Sequence, residues 1–196
     1  MTRDPGGVPH DPMTLPEGLP VPEDDGAAAH LPGTRVPPLA LPSTGGGTVD
    51  LSALPGLTVV YAYPRTGVPG EDPLVPDWDA IPGARGCTPE SCGFRDHHAE
   101  LAAGGARVLG LSTQDTPYQR EATARLHLPF PLLSDARLEL TGALGLPTFE
   151  VGGQTLLRRF TLLLHDGVVE HVWYPVFPPD THAAEVLAFL RTARPA

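Results

Sequence analysis

Residues 57–63 read LTVVYAY, a β-branched and aromatic run of strand length that stops at Pro64. A second such run, ARVLGLS, follows at 106–112, and the stretch between them carries a helical pattern. From Thr88, TPESCGFRDHHAELAAGG predicts one helix: Pro89 suits a first helical position, acids fall early, and Gly104-Gly105 ends it. TPYQREATARLHL predicts a second helix, opened by a Thr116/Gln119 capping box with Pro117 at its first position. FPLLSD is a short strand, and ARLELTGALG is a third helix that stops at Gly145. RRFTLLLHDGVVEHVWYPV then reads as two strands around the hairpin signal Asp166-Gly167. Finally, DTHAAEVLAFLRTA puts Ala183, Val186, Leu187 and Leu190 on one helical face. Strand, helix, strand, helix, strand, helix, hairpin, helix is the order of an α/β sandwich whose early strands are parallel and whose hairpin closes the sheet antiparallel.

Two stretches fall outside this alternation. Residues 1–56 are dominated by Pro, Gly, Asp and Thr without sustained apolar periodicity, which predicts an extended, loop-rich arm that buries little surface. The domain proper is expected over 57–196. Residues 65–86, RTGVPGEDPLVPDWDAIPGARG, are too broken by Gly and Pro for regular structure and long for a loop in a compact domain, a length usual for functional loops. Within them Trp78, Leu74 and Val75 can cover a site, contact a partner, or simply anchor the loop through a buried Trp.

Charge and residue usage exclude several function classes. A net charge of −10 repels nucleic-acid phosphates and anionic headgroups, so neither nucleic acid nor membrane is an expected partner. The chain has no Lys and no Asn. A phosphate-binding P-loop, a Schiff-base site and a papain-like site with its orienting Asn therefore cannot be built. The N-terminus lacks a secretion-signal pattern and no apolar run reaches the roughly 18 residues of a membrane span, so a soluble, cytoplasmic protein is expected.

Both cysteines, Cys87 and Cys92, lie in GARGCTPESCGFRD, just where the first helix starts. Three readings are open: a structural disulfide, half of a metal site, or a reactive pair. A reducing compartment disfavours the first, and structural zinc takes four ligands where only two thiols exist, although His97 and His98 stand nearby. Those histidines are expected on the outer face of the helix. The first helix starts at the C-terminal end of a sheet strand, the crevice where open α/β sheets bind ligands.

GCTPESCGFRD, followed by VLGLSTQDTPYQREATARLHLPFPLLSD and RRFTLLLHDG, resembles the peroxiredoxins, specifically the bacterioferritin-comigratory-protein or peroxiredoxin Q group. The resemblance runs from about Leu57 to the C-terminus. It implies a thioredoxin fold, with a central mixed sheet flanked by helices, and a thiol-dependent peroxidase. By position, Cys87 matches the peroxidatic nucleophile, Cys92 the resolving thiol that forms a disulfide with it, and Arg159 the arginine that supports the thiolate. The resemblance further implies no cofactor, a hydroperoxide substrate, a thioredoxin or glutaredoxin-like dithiol as reductant, and a monomer or weak dimer. The group's P-x-x-x-T-x-x-C signature is displaced: Ala84 and Ala80 stand where its Thr and Pro belong. Pro64 and Thr66 of YPRTG resemble them instead, with 22 residues (65–86) before Cys87 rather than six. An insertion of about sixteen residues accounts for the difference, and Thr66 and Pro64 become candidates for substrate binding.

Helix geometry bears on the pair independently. Residues five apart on a helix lie roughly 8.6 Å apart between Cα atoms, beyond the roughly 4.4–6.8 Å a disulfide spans. Bonding them requires the first turn to unwind, which suits a bond made and opened in turnover better than a staple. A regulatory redox switch using the same pair is the alternative; a thioredoxin-like reductase would have two intervening residues rather than four. Attack needs a thiolate, and a free thiol of pKa about 8.5 is only about 3% ionised at pH 7. The helix start and Arg159 are expected to lower that pKa. Arg85, Arg95 and Arg158 are expected as exposed surface charges.

Overall fold

The computed structural model describes residues 11–193; the first ten residues of the expected arm lie outside them. In chain order the strands are β1 (Ala40–Pro42), β2 (Thr48–Asp50), β3 (Leu57–Ala62), β4 (Ala106–Ser112), β5 (Leu132–Ser134), β6 (Thr148–Val151), β7 (Gln154–Leu157), β8 (Phe160–His165) and β9 (Val168–Trp173). The helices are α1 (Cys87–Asp96), α2 (His98–Ala103), α3 (Thr116–Leu126), α4 (Glu139–Leu144) and α5 (His182–Ala193). The main sheet runs β5-β4-β3-β8-β9. β3, β4 and β5 are parallel, while β8 and β9 are antiparallel additions. The early parallel strands and the closing hairpin are as the sequence pattern predicts.

The period-two alternation of β3 separates two cores. Leu57, Val59, Tyr61 and Tyr63 face a layer that includes Phe94 of α1, Leu101 of α2, Leu126 of α3 and Val186 of α5. Val60 and Ala62 face the other way, onto Leu140 and Leu144 of α4 together with Ala28, Leu31, Val36, Leu41 and Leu51. Those last five belong to the Pro- and Gly-rich stretch expected to bury little. They cover the second face one residue at a time, between prolines, with no helical or strand period to announce them. Proline also restricts the unfolded chain, so ordering such a segment costs less entropy.

Several local expectations are corrected. The first helix is two helices, broken at His97, whose backbone N–H is shared between the carbonyls of Gly93 and Arg95. α3 is capped by Asp115, whose carboxylate accepts from the Tyr118 amide, so Thr116 is already inside the helix. The hairpin β6–β7, turning at Gly152-Gly153, occupies a stretch to which the sequence pattern above assigns no element. The 65–86 loop folds onto that hairpin: Trp78, Ala84 and Leu156 form a third small core with Leu74, Val75 and Phe149 against it. Trp78 is thus a buried anchor.

One glycine secures the contact between the sheet and α1. A Cβ on Gly110 of β4 would come within 2.4 Å of Leu132 and 2.9 Å of the Tyr61 hydroxyl. That hydroxyl donates to Ser91 of α1 at 3.0 Å. Gly110→Ala should therefore destabilise the protein by about 1–3 kcal/mol through overpacking, read as a lowered midpoint in thermal denaturation. A wild-type midpoint would show that this contact has room to spare.

Candidate active site

The site forms where two strand ends meet. Because β3 and β8 pair antiparallel with Ala62 opposite Phe160, the residues leaving β3 and the residue entering β8, Arg159, lie at the same end of the sheet. α1 begins there too. Its N-cap, Gly86, holds φ at 104°, and a Cβ at that position would strike Pro179 at 2.4 Å and Leu15 at 2.9 Å. Only glycine both accepts this left-handed backbone and clears those neighbours.

Cys87 is the first residue of α1 and is 2% exposed. Its Sγ receives the Arg159 Nη2 proton at 3.1 Å and the Arg65 amide at 3.4 Å, and faces the Ala84 carbonyl at 3.5 Å. Arg159, 3% exposed, does more than face the sulfur. Its Nη2 also donates to the carbonyls of Gly83 (3.2 Å), Ala84 (3.3 Å) and Arg85 (3.1 Å), and its Nη1 pairs with Glu90 Oε2. A buried guanidinium is tolerable only when it is paired and hydrogen-bonded in this way. Glu90 was not singled out from sequence, although it stands three residues after Cys87 on the same face of one helix.

Electrostatics here differ from the sequence-based expectation of a lowered thiol pKa. Burial, the largest influence, pushes the Cys87 thiol above its ordinary value; the Arg159 charge pulls it down, Glu90 pushes it up again, and the Arg65 amide lowers it. The net direction is upward, because the cation is shared with a carboxylate and the sulfur is dry. Glu90 itself is raised by burial, against the pull of Arg159, to about 7. Cys92, half-buried on the same helix, is also raised by burial, with Arg95 pulling it down. Both cysteines are free thiols.

The pocket over Cys87, about 540 Å³ including its open mouth, is walled by Arg65, Thr66, Leu74, Trp78, Thr88 and Tyr118, with Pro12 from the N-terminal segment. Thr66 is brought to it, as the displaced signature suggested. Its hydroxyl and amide both donate to Gln114 Oε1, at 3.2 and 3.1 Å, and its carbonyl accepts from the Tyr118 hydroxyl at 3.0 Å. The Arg65 guanidinium lies 4.6 Å over the Tyr118 ring. Pro64 does not wall this pocket; it lines a shallow groove with Gly83 and Arg159 and, as the residue before Arg65, leads the chain toward the sulfur.

Arg85 is not an exposed charge. It is 5% exposed, pairs with Asp79 at 3.1 Å and donates to the carbonyls of Asp11 and Thr14. It thereby ties the N-terminal segment to the loop leading into Cys87, a long-range contact that no local signal marks. Arg95 is partly exposed and bonds the Leu126 carbonyl and Asp96. Arg158, also partly exposed, donates to the Thr148 carbonyl. His98 is half-buried against Phe130 rather than solvated. Among the described residues, no three His, Cys, Asp or Glu side chains are grouped to hold a metal ion, and no helix is long and apolar enough to cross a membrane.

The redoxin family model matches residues 31–187, so the match begins inside the N-terminal stretch that covers the second face of the sheet. The chain is 32% identical over 162 residues to the chloroplastic peroxiredoxin Q of Oryza sativa subsp. japonica, which aligns 82% of this chain with 66% of that protein. It therefore spans just under two thirds of that plant relative's length. Its fold is similar to the crystal structure of the peroxidoxin BcpB of Mycobacterium tuberculosis, with TM-score 0.67, 29% identity, and 84% of this chain and 99% of that one covered. It is similar, too, to the bacterioferritin comigratory protein of Xanthomonas campestris, a structure described for its alkyl peroxide reduction activity, with TM-score 0.62, 29% identity, and 84% and 96% covered. With a thioredoxin-fold sheet, a buried cysteine opening its first long helix and a family match over most of its length, this chain belongs to the redoxin family, in its peroxiredoxin Q and bacterioferritin-comigratory-protein group.

Proposed function

We propose that the chain is a thiol-dependent peroxidase acting on hydrogen peroxide and organic hydroperoxides. The observation that carries the reading is the Arg159 guanidinium 3.1 Å from the sulfur of a cysteine that starts a helix, with a second cysteine on that helix. The Cys87 sulfur attacks the terminal oxygen of the hydroperoxide, the O–O bond breaks, and the leaving oxygen takes up the proton that the thiol gave away. Cys87 is then a sulfenic acid. The Cys92 thiol attacks its sulfur, a Cys87–Cys92 disulfide forms and water departs. A thioredoxin or glutaredoxin-like dithiol reduces the disulfide by exchange. Organic hydroperoxides are included because the pocket is open and partly apolar, with Leu74 and Trp78 in its wall, and because the Xanthomonas relative is described with alkyl peroxide reduction. Pairing within one chain fits a monomer or weak dimer, and a reducing cytoplasm fits two free thiols.

In this reading Cys87 alone reacts with peroxide. Cys87→Ser should abolish turnover, whereas Cys92→Ser should undergo one fast oxidation per chain and then stop. Stopped-flow single-turnover measurements separate the two. Comparable oxidation rates in wild type and Cys87→Ser would overturn the assignment.

The charge balance around the sulfur gives a paired pH prediction. Arg159→Met removes the cation that lowers the Cys87 pKa, so alkylation of Cys87 should begin at higher pH than in wild type. Glu90→Gln removes the carboxylate that raises it and keeps an acceptor for Arg159, so alkylation should begin at lower pH. Shifts in opposite directions are expected from iodoacetamide rates measured across pH; unchanged midpoints in both variants would remove Arg159 and Glu90 from the site.

A further inference from the structure

We infer that Thr88 supplies the side-chain hydroxyl that holds the hydroperoxide against Cys87, an inference that rests on the peroxidase reading above. Two threonines wall the Cys87 pocket, Thr66 and Thr88. They differ in what their hydroxyls already do. Thr66 gives its hydroxyl proton to Gln114 Oε1, which also takes its amide, and the Tyr118 hydroxyl closes on its carbonyl. Those bonds brace the loop after β3 and leave Thr66 committed to that loop. Thr88 is 1% exposed, and its Oγ1 has no hydrogen-bond partner among the described residues. Buried hydroxyls are almost always satisfied, and an exception in a pocket wall beside a nucleophile marks a place where a ligand completes the bonding.

A hydroperoxide has the complementary groups. Its O–H can donate to Thr88 Oγ1, and either oxygen can accept the Thr88 proton. Thr88 directly follows Cys87 in the first turn of α1, so a molecule hydrogen-bonded to it lies beside the sulfur. During attack the S–O bond forms, the O–O bond breaks and negative charge grows on the leaving oxygen. Arg159 Nη2 and the Arg65 amide already surround the sulfur as donors. A third donor placed on the peroxide rather than on the sulfur would steady the breaking bond beside a sulfur that is itself buried. Thr88 is then a catalytic residue that contacts substrate, and its loss should leave the nucleophile itself untouched.

The test compares two reactions of the same thiol in wild type, Thr88→Val, Thr88→Ser and Thr66→Val. One is oxidation by hydrogen peroxide and by cumene hydroperoxide; the other is alkylation by iodoacetamide, which needs the thiolate but no peroxide grip. In Thr88→Val the oxidation rate should fall about tenfold or more, while the alkylation rate, its pH profile and the melting temperature stay at wild-type values. Thr88→Ser, which keeps the hydroxyl, should recover most of the rate. The inference is overturned if Thr88→Val is oxidised at the wild-type rate. It is also overturned if oxidation and alkylation fall by the same factor, which would place the effect on the thiol or the fold, or if the selective loss appears in Thr66→Val instead. Failure of the underlying reading looks different: wild type itself would then react with peroxides no faster than a free thiol.

Discussion

The guanidinium of Arg159 is the point on which the site is built. It is a permanent cation in a dry place, and it is held by the carbonyls of three consecutive residues, 83–85, by Glu90 and by the Cys87 sulfur. Each bond meets a need on both sides: the carbonyls end the long loop with no strand to pair with, and the arginine needs acceptors to remain buried. The same set of bonds aims the chain into Gly86 and sets the first residue of α1. Sheet register delivers the cation to that spot, since Ala62 opposite Phe160 leaves the end of β3 and the start of β8 side by side.

The sharing of one cation between a thiol and a carboxylate sets the tuning of the site. Burial raises both acids, Arg159 pulls both down, and the Glu90 carboxylate pushes Cys87 further up. The readiness of the sulfur therefore depends on the charge of Glu90 as well as on Arg159. The long loop adds the walls. It folds away from the sheet onto β6–β7 through Trp78, while Arg85 turns back to fasten Asp11 and Thr14, so the N-terminal segment contributes Pro12 to the pocket.

Most of this fold was legible in the sequence where it is periodic. LTVVYAY, ARVLGLS, the Asp166-Gly167 hairpin and the Ala183/Val186/Leu187/Leu190 face lie where their patterns place them. Elements without a period were harder to read. Ala28, Leu31, Val36, Leu41 and Leu51 share with α4 the covering of one sheet face, as isolated apolar residues. The break at His97 has no Gly or Pro to announce it; the two ends of that segment pack in different directions, α1 against α5 and α2 against β4. The β6–β7 turn does carry a local signal, Gly152-Gly153 between two short runs. At the site, Cys87 stands out as one of two cysteines at a helix start, Arg159 is legible through resemblance alone, and Glu90 is recoverable from its spacing. Arg85 is not, because apart from nearby Asp79 its partners, the Asp11 and Thr14 carbonyls, lie more than seventy residues away in sequence and meet it only in the folded chain.

The central claim is that α1 is both the platform that presents Cys87 and the element that must open for Cys92 to reach it. The two cysteines lie in one continuous helix from Cys87 to Asp96, where their Cα atoms are roughly 8.6 Å apart by helix geometry, too far for a disulfide. The most direct measurement is hydrogen exchange of the amides of residues 90–95 in the reduced protein and in protein oxidised by one equivalent of peroxide, with the Cys87–Cys92 bond confirmed by peptide mass. The account predicts protected amides in the reduced form and a marked loss of protection over the first turn once the bond has formed. Equal protection in both forms, with the disulfide present, would contradict it.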